Sequence, residues 1–204
     1  DENRRHIASI WKLGARPFRE KDNISPNVQL RQIKTVIGDS VENYNELMNE
    51  LKDLLSKGRI QKAYRYIFDI FSDLGNEIKK NKNKVISCTS LYHGYLDMTY
   101  LPVTTENLKN NGLKFAIVFN YSLFQFEIWL SAVNRKKRND FLDIINQSKW
   151  QKYKTIQNNE NTDAIIEIKI KGINEFSNKN NIVSLIAKET ILFIDDIEEF
   201  IQRK

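Results

Sequence analysis

The chain has 204 residues, 41% of them hydrophobic and 28% charged, with a formal net charge of +6. A chain of this length buries on the order of 70% of its unfolded surface, so one domain, or one domain with an extension, holds a core without disulfides or metal. Cys88 is the single cysteine, which excludes an intramolecular disulfide, and with His6 and His93 as its only histidine companions no zinc-site spacing exists. No run of about 18 apolar residues marks a membrane span, and residues 1–20 lack the apolar core of a signal peptide. A reducing, cytoplasmic setting without membrane contact is expected, and the abundance of Lys, Asn and Ile points to an AT-rich bacterial genome.

Residues 4–13 read as a short helix closed by Gly14, with Ile7, Ile10 and Trp11 on one side. Ser25 and Pro26 are an N-cap and a first-turn proline, so 26–37 should form a second helix stopped by Gly38. The connection from Gly14 to Ser25 is too long for a helix-turn-helix, and a lid or dimerisation arm is the expected role of this helical extension, residues 1–39. The α+β domain is then expected over 40–204. A helix starting at Ser40 carries Tyr44, Leu47, Met48, Leu51, Leu54 and Leu55 at helical spacing and stops at Gly58. A longer one from Ile60 to about Lys80 carries Ala63, Tyr64, Ile67, Phe68, Phe71, Leu74 and Ile78. The two should form an antiparallel hairpin that covers a sheet.

Residues 84–101 read as extended chain with a bulge or turn at His93-Gly94, ended by Pro102. Thr104 to Glu106 begin a helical turn that Gly112 closes. Leu113–Asn134 then holds two alternating runs joined by Tyr121, Ser122 and Leu123, the pattern of a central antiparallel pair. One wall of that pair is Leu113, Phe115, Ile117 and Phe119 beside Phe124, Phe126, Ile128 and Leu130. The other is Lys114, Ala116, Val118 and Asn120 beside Gln125, Glu127, Trp129 and Ser131, semi-polar and suited to lining a groove. A helix over 135–147 turns Phe141, Leu142, Ile144 and Ile145 inward. After an Asn-rich loop at 157–161, a strand at 163–171 and a helix at about 180–202 follow. The fold class expected is α+β, with a largely antiparallel sheet of about four strands covered by helices.

From about Ser40 onward the chain resembles a bacterial family known only as a domain of unknown function. The resemblance rests on KGRIQKAYRYI at 57–67, SLYHGYLDMTYL at 90–101, LKFAIVF at 113–119, FEIWLSAVNRK at 126–136 and SKWQKY at 148–153. It implies no activity. The order helix, three strands, helix, strand is also similar to the core of the restriction-endonuclease-like nucleases, in which acidic residues and a lysine on the second and third strands hold a metal ion. Here Trp129 stands where that lysine would be and residues 113–119 carry no carboxylate. The likeness implies at most a degenerate nuclease, with Asp97 and Lys114 as substitutes.

Asp97 and Glu127 are the carboxylates set among apolar strand residues. If the strands are adjacent, Asp97, Lys114 and Glu127 converge on one wall with His93, Tyr95 and Trp129, as a small-molecule or catalytic cleft. The alternative is a cross-strand ion pair between Lys114 and Glu127. Cys88 and His93 lie five apart on a strand, on opposite faces, so a cysteine nucleophile is not expected. Neither a glycine-rich phosphate loop nor a metal motif is present, and no cofactor is implied.

Lys79 and Lys80, and the run Arg135, Lys136, Lys137 and Arg138, supply cations, and Trp129 supplies a stacking ring. Together they favour a binding module over an enzyme, with nucleic acid as the preferred partner. A small-molecule cleft and a structural protein forming a homodimer are the alternatives.

Overall fold

The computed structural model describes residues 43–81, 85–88, 90–94, 96–148, 150–156 and 164–203. The helices expected at 4–13 and 26–37, the extension 1–39, Tyr95 and the loop at 157–161 lie outside the described residues. The chain divides into two compact units between Tyr66 and Ile67.

In the first unit, α1 (Tyr44–Ser56) is capped by Asn43, whose side chain accepts the Asn45 N–H at 3.2 Å. Gly58, at φ +65°, separates it from α2 (Arg59–Asn81), because a left-handed residue cannot continue the helix. No α1 residue is buried. The apolar stripe expected to be core is therefore exposed.

The second unit begins within α2 at Ile67. Its strands are β1 (Val85–Cys88), β2 (Met98–Thr105), β3 (Leu113–Asn120), β4 (Gln125–Ala132) and β5 (Ala164–Lys169). They form one antiparallel sheet in the order β1-β2-β3-β4-β5. Its helices beyond α2 are α3 (Glu106–Asn110), α4 (Arg135–Gln147) and α5 (Lys179–Gln202). The fold is α+β with an antiparallel sheet. The extended stretch at 84–101 becomes two strands because the chain turns between them, where Gly94 and Leu96 take φ of +61° and +63°. Pro102 does not end β2. Pairing with β1 stops at Val103, so the missing N–H of Pro102 falls in the gap before the Tyr92–Tyr100 bridge.

The apolar wall of β3 and β4 forms the main core. Phe71 of α2 meets Phe126 at 5.8 Å between ring centres, and Phe193 of α5 meets Phe115 at 4.9 Å. Ile70, Leu74, Ile78, Ile186, Ile194 and Ile197 complete it, all fully buried. Phe124 does not join this wall. It ends the β3–β4 turn at φ +49°, exposed, against Phe119 and Phe176. On α4 the inward positions are Arg138, Phe141, Leu142 and Ile145, one stripe at helical spacing, and Ile144 points outward.

Candidate functional site

The semi-polar wall is a second, smaller core. Met98, Tyr100, Ala116, Val118, Trp129 and Ala164 are buried together, with Tyr92 and Ile156 packed over them. Tyr92 stacks on Tyr100 at 4.8 Å between ring centres, and burial pushes the Tyr100 hydroxyl pKa up, with the neighbouring Tyr92 adding to it. Trp129 is 4% exposed, and its Nε1–H donates to Glu127 Oε2 at 2.9 Å. Gln125 Nε2 donates to the other carboxylate oxygen at 2.5 Å. Glu127 is thus a buried carboxyl group whose two oxygens are satisfied by side chains of its own strand, as buried polar groups must be.

The three residues expected to converge here do not. The register sets Glu127 opposite Val118 and Lys114 opposite Ser131. Four residues of strand separate the two sites, about 13 Å at the rise of a β-strand. The cross-strand neighbour of Glu127 is Val118 on one side and Lys169 on the other, so the Lys114–Glu127 pair is not formed. Asp97 precedes β2 and belongs to the turn at 93–97. Its carbonyl accepts the Tyr121 N–H at 3.1 Å, and a Cβ on Gly94 would stand 2.8 Å from its Oδ1.

Around that turn His93 and Asp97 are joined by Tyr121 and by Thr99, a residue the sequence did not single out. Thr99 Oγ1 lies 3.0 Å from Tyr121 Oη and donates to the His93 carbonyl at 2.9 Å, while the His93 ring meets Phe68 edge-on at 4.7 Å. Burial raises the Tyr121 pKa, the Thr99 hydrogen bond lowers it in part, and the Asp97 charge raises it again. A cavity of about 410 Å³ lies elsewhere, beside the start of α5, lined by Gly172, Asn174, Glu175, Asn178 and Leu185 among others. Among the described residues no group of three His, Cys, Asp or Glu side chains is placed to hold a metal ion, and no helix is long and apolar enough to cross a membrane.

The basic residues behave differently from one another. Arg138 is 4% exposed. Its guanidinium donates to the Ala164 carbonyl through Nε and Nη2, both at 3.3 Å, and to the Ile156 carbonyl at 3.2 Å. Arg138 and Trp129 are therefore structural, and neither presents its polar group or ring to solvent as a binding surface requires. Lys79, Lys80, Arg135, Lys136 and Lys137 are all exposed.

Sheet topology brings these five to one end of the sheet. Val85 starts β1 opposite Thr105 at the end of β2, and Leu113 starts β3 opposite Ala132 at the end of β4. Lys79 and Lys80 form the last turn of α2, shortly before β1, and Arg135, Lys136 and Lys137 form the first turn of α4, shortly after β4. Between them lies α3, which adds exposed Lys109 along with exposed Glu106. The Val133 N–H binds the Gly112 carbonyl at 2.9 Å, and the Lys137 side chain lies against Gly112. Lys109 was missed because it stands alone in sequence; its place just before Gly112 was the available signal. Three cations in the first turn of α4 oppose the helix dipole, and no acidic residue there offsets them.

The matched residues take in the part of the first unit from α1 onward and nearly all of the second unit's sheet and helices. The chain belongs to the family described as Domain of unknown function (DUF7000), which matches residues 44–201. The DUF7000 match thus takes in α1, the sheet and every helix that surrounds the basic end. No curated protein and no solved structure matches this chain.

Proposed function

We propose that this DUF7000 chain is a nucleic-acid-binding module whose contact surface is the basic end of the sheet. The observation that carries the reading is the gathering of Lys79, Lys80, Lys109, Arg135, Lys136 and Lys137, from three helices, around one end of the antiparallel sheet. Cations held on separate helix ends and spaced across several strands suit a phosphate backbone better than a small anion, which needs its partners within one contact distance. Sequence selectivity is not part of the reading, since the aromatic ring expected to stack on bases, Trp129, is buried. A bacterial, cytoplasmic setting accords with it, because a core of this size with one cysteine needs no oxidising compartment.

Fluorescence anisotropy with labelled single- and double-stranded DNA and RNA tests it. Binding that weakens steeply between 50 and 200 mM salt, about tenfold or more for several phosphate contacts, is the expected result. Absence of binding at the lower salt sinks the reading.

A further inference from the structure

Six large apolar side chains of α1, Tyr44, Leu47, Met48, Leu51, Leu54 and Leu55, are between 38% and 64% exposed. They recur at i, i+3, i+4, i+7, i+10 and i+11, the seam of two helical heptads. Together they expose on the order of 500 Å², near the upper end of apolar patches on monomeric proteins. None of these residues is among the cations named for the basic end of the sheet.

We infer that α1 is a self-association surface, pairing antiparallel with α1 of a second copy of this chain about a two-fold axis near Leu51 and Leu54. Charge selects both the occupant and its direction. The N-terminal half of α1 carries Glu46 and Glu50, whereas the stretch from Lys52 to Arg59 carries Lys52, Lys57 and Arg59 against Asp53. Parallel pairing would set acid beside acid. Antiparallel pairing sets each acidic half beside the other copy's basic end.

Glu50 and Lys57 stand seven residues apart on the same flank of the seam. An antiparallel pair therefore brings Glu50 of each copy beside Lys57 of the other, while Leu51 packs on Leu54. In this register α1 overlaps from about Asn49 to Ser56 of each copy, with Leu51, Leu54 and Leu55 in contact, an interface well below the roughly 1,000 Å² of a stable complex, so the dimer is weak and reversible. Gly58 ends the seam, since its φ of +65° stops α1 directly after Lys57.

Sedimentation equilibrium of the full chain from about 10 µM to 1 mM tests this, the range in which so small an interface pairs. The wild type should pass from one copy to two. Leu51→Lys, at an exposed position, should weaken pairing at least about tenfold with an unchanged thermal melt, because it places like charges in the seam. Glu50→Lys and Lys57→Glu should each weaken pairing several-fold, and the two together should recover most of the loss. A chain that stays single throughout the range overturns the inference. So does a dimer indifferent to Leu51→Lys, a charge-swapped double variant no better than the single ones, or a mass that grows past two copies.

Discussion

Thr105 donates its hydroxyl to the buried carboxylate of Glu198 at 2.5 Å, joining the end of β2 to the last turns of α5 across 93 residues of sequence. The same oxygen accepts the Leu108 N–H at 3.3 Å and so caps α3, which precedes the basic end of the sheet. Thr105→Val removes the donor and the cap together and leaves a buried carboxylate short of a partner. A loss of about 2–4 kcal/mol is expected from the buried hydrogen bond and the cap. Urea denaturation with an unchanged m-value checks it, and a loss below half a kcal/mol would contradict the assignment.

Arg138 should act on stability and not on charge-driven binding. Lysine keeps the charge but cannot reproduce a fork that reaches the carbonyls of both Ile156 and Ala164. Arg138→Lys should destabilise the fold by about 2–3 kcal/mol, as the loss of charged donors to buried carbonyls does. Lys137→Glu, at an exposed site, should leave the denaturation midpoint within the range of ordinary surface changes. Equal effects from the two variants would show that the burial of Arg138 has no energetic role.

Tyr153 ties the segment after α4 to α5. Its hydroxyl donates to Asp196 at 2.5 Å, its ring meets Phe193 at 4.7 Å, and Trp150 stacks on Phe200 beside it. Burial first, then the hydrogen bond and charge of Asp196, raise the Tyr153 pKa well above its ordinary 10.0. A group whose folded pKa is raised holds its proton more tightly in the folded state. Its contribution is complete below pH 10 and is lost as pH rises from there, when the unfolded chain ionises first. Stability should therefore fall above about pH 10 from this cause, and Tyr153→Phe should flatten that fall while lowering stability near neutrality. Parallel pH profiles for the two proteins would contradict it.

Two glycines with similar positive φ should differ sharply in what they tolerate. A Cβ on Gly94 would stand 1.9 Å from the Met98 carbonyl oxygen, which is backbone and cannot yield. At Gly58, φ +65°, nothing lies within 4 Å of that position. Gly58→Ala should cost only the left-handed strain, about 1–2 kcal/mol. Gly94→Ala should cost clearly more, about 3–5 kcal/mol, because the turn before β2 must open. Thermal melts of the two variants separate these outcomes.

The central hairpin was legible because its two walls alternate with period two over eight residues each, and β3 and β4 keep that register from Leu113↔Ala132 to Asn120↔Gln125. The burial of the second wall was not, since it depends on Tyr92 and Ile156 arriving from distant segments. Alternation alone leaves Trp129 on a surface, and only those segments bury it. Arg138 sat inside a basic run whose members looked alike. Only the carbonyls of residues 18 and 26 positions further on distinguish it from Lys137. In the same way, α1 has the periodicity of a core helix, and periodicity cannot say what covers a stripe. The gathering of basic residues at one end of the sheet came from topology, which joins Lys79, Lys109 and Arg135 through strand ends that are far apart in sequence.

The measurement that bears most directly on nucleic-acid binding is the salt dependence of anisotropy for the wild type beside the double variant Lys136→Glu, Lys137→Glu. Each phosphate contact contributes about 0.9 to the slope of log affinity against log salt, so losing two should lower the slope by about 2 and weaken binding uniformly across sequences. A wild type that binds with the same slope as the variant, or neither binding at low salt, would contradict the account.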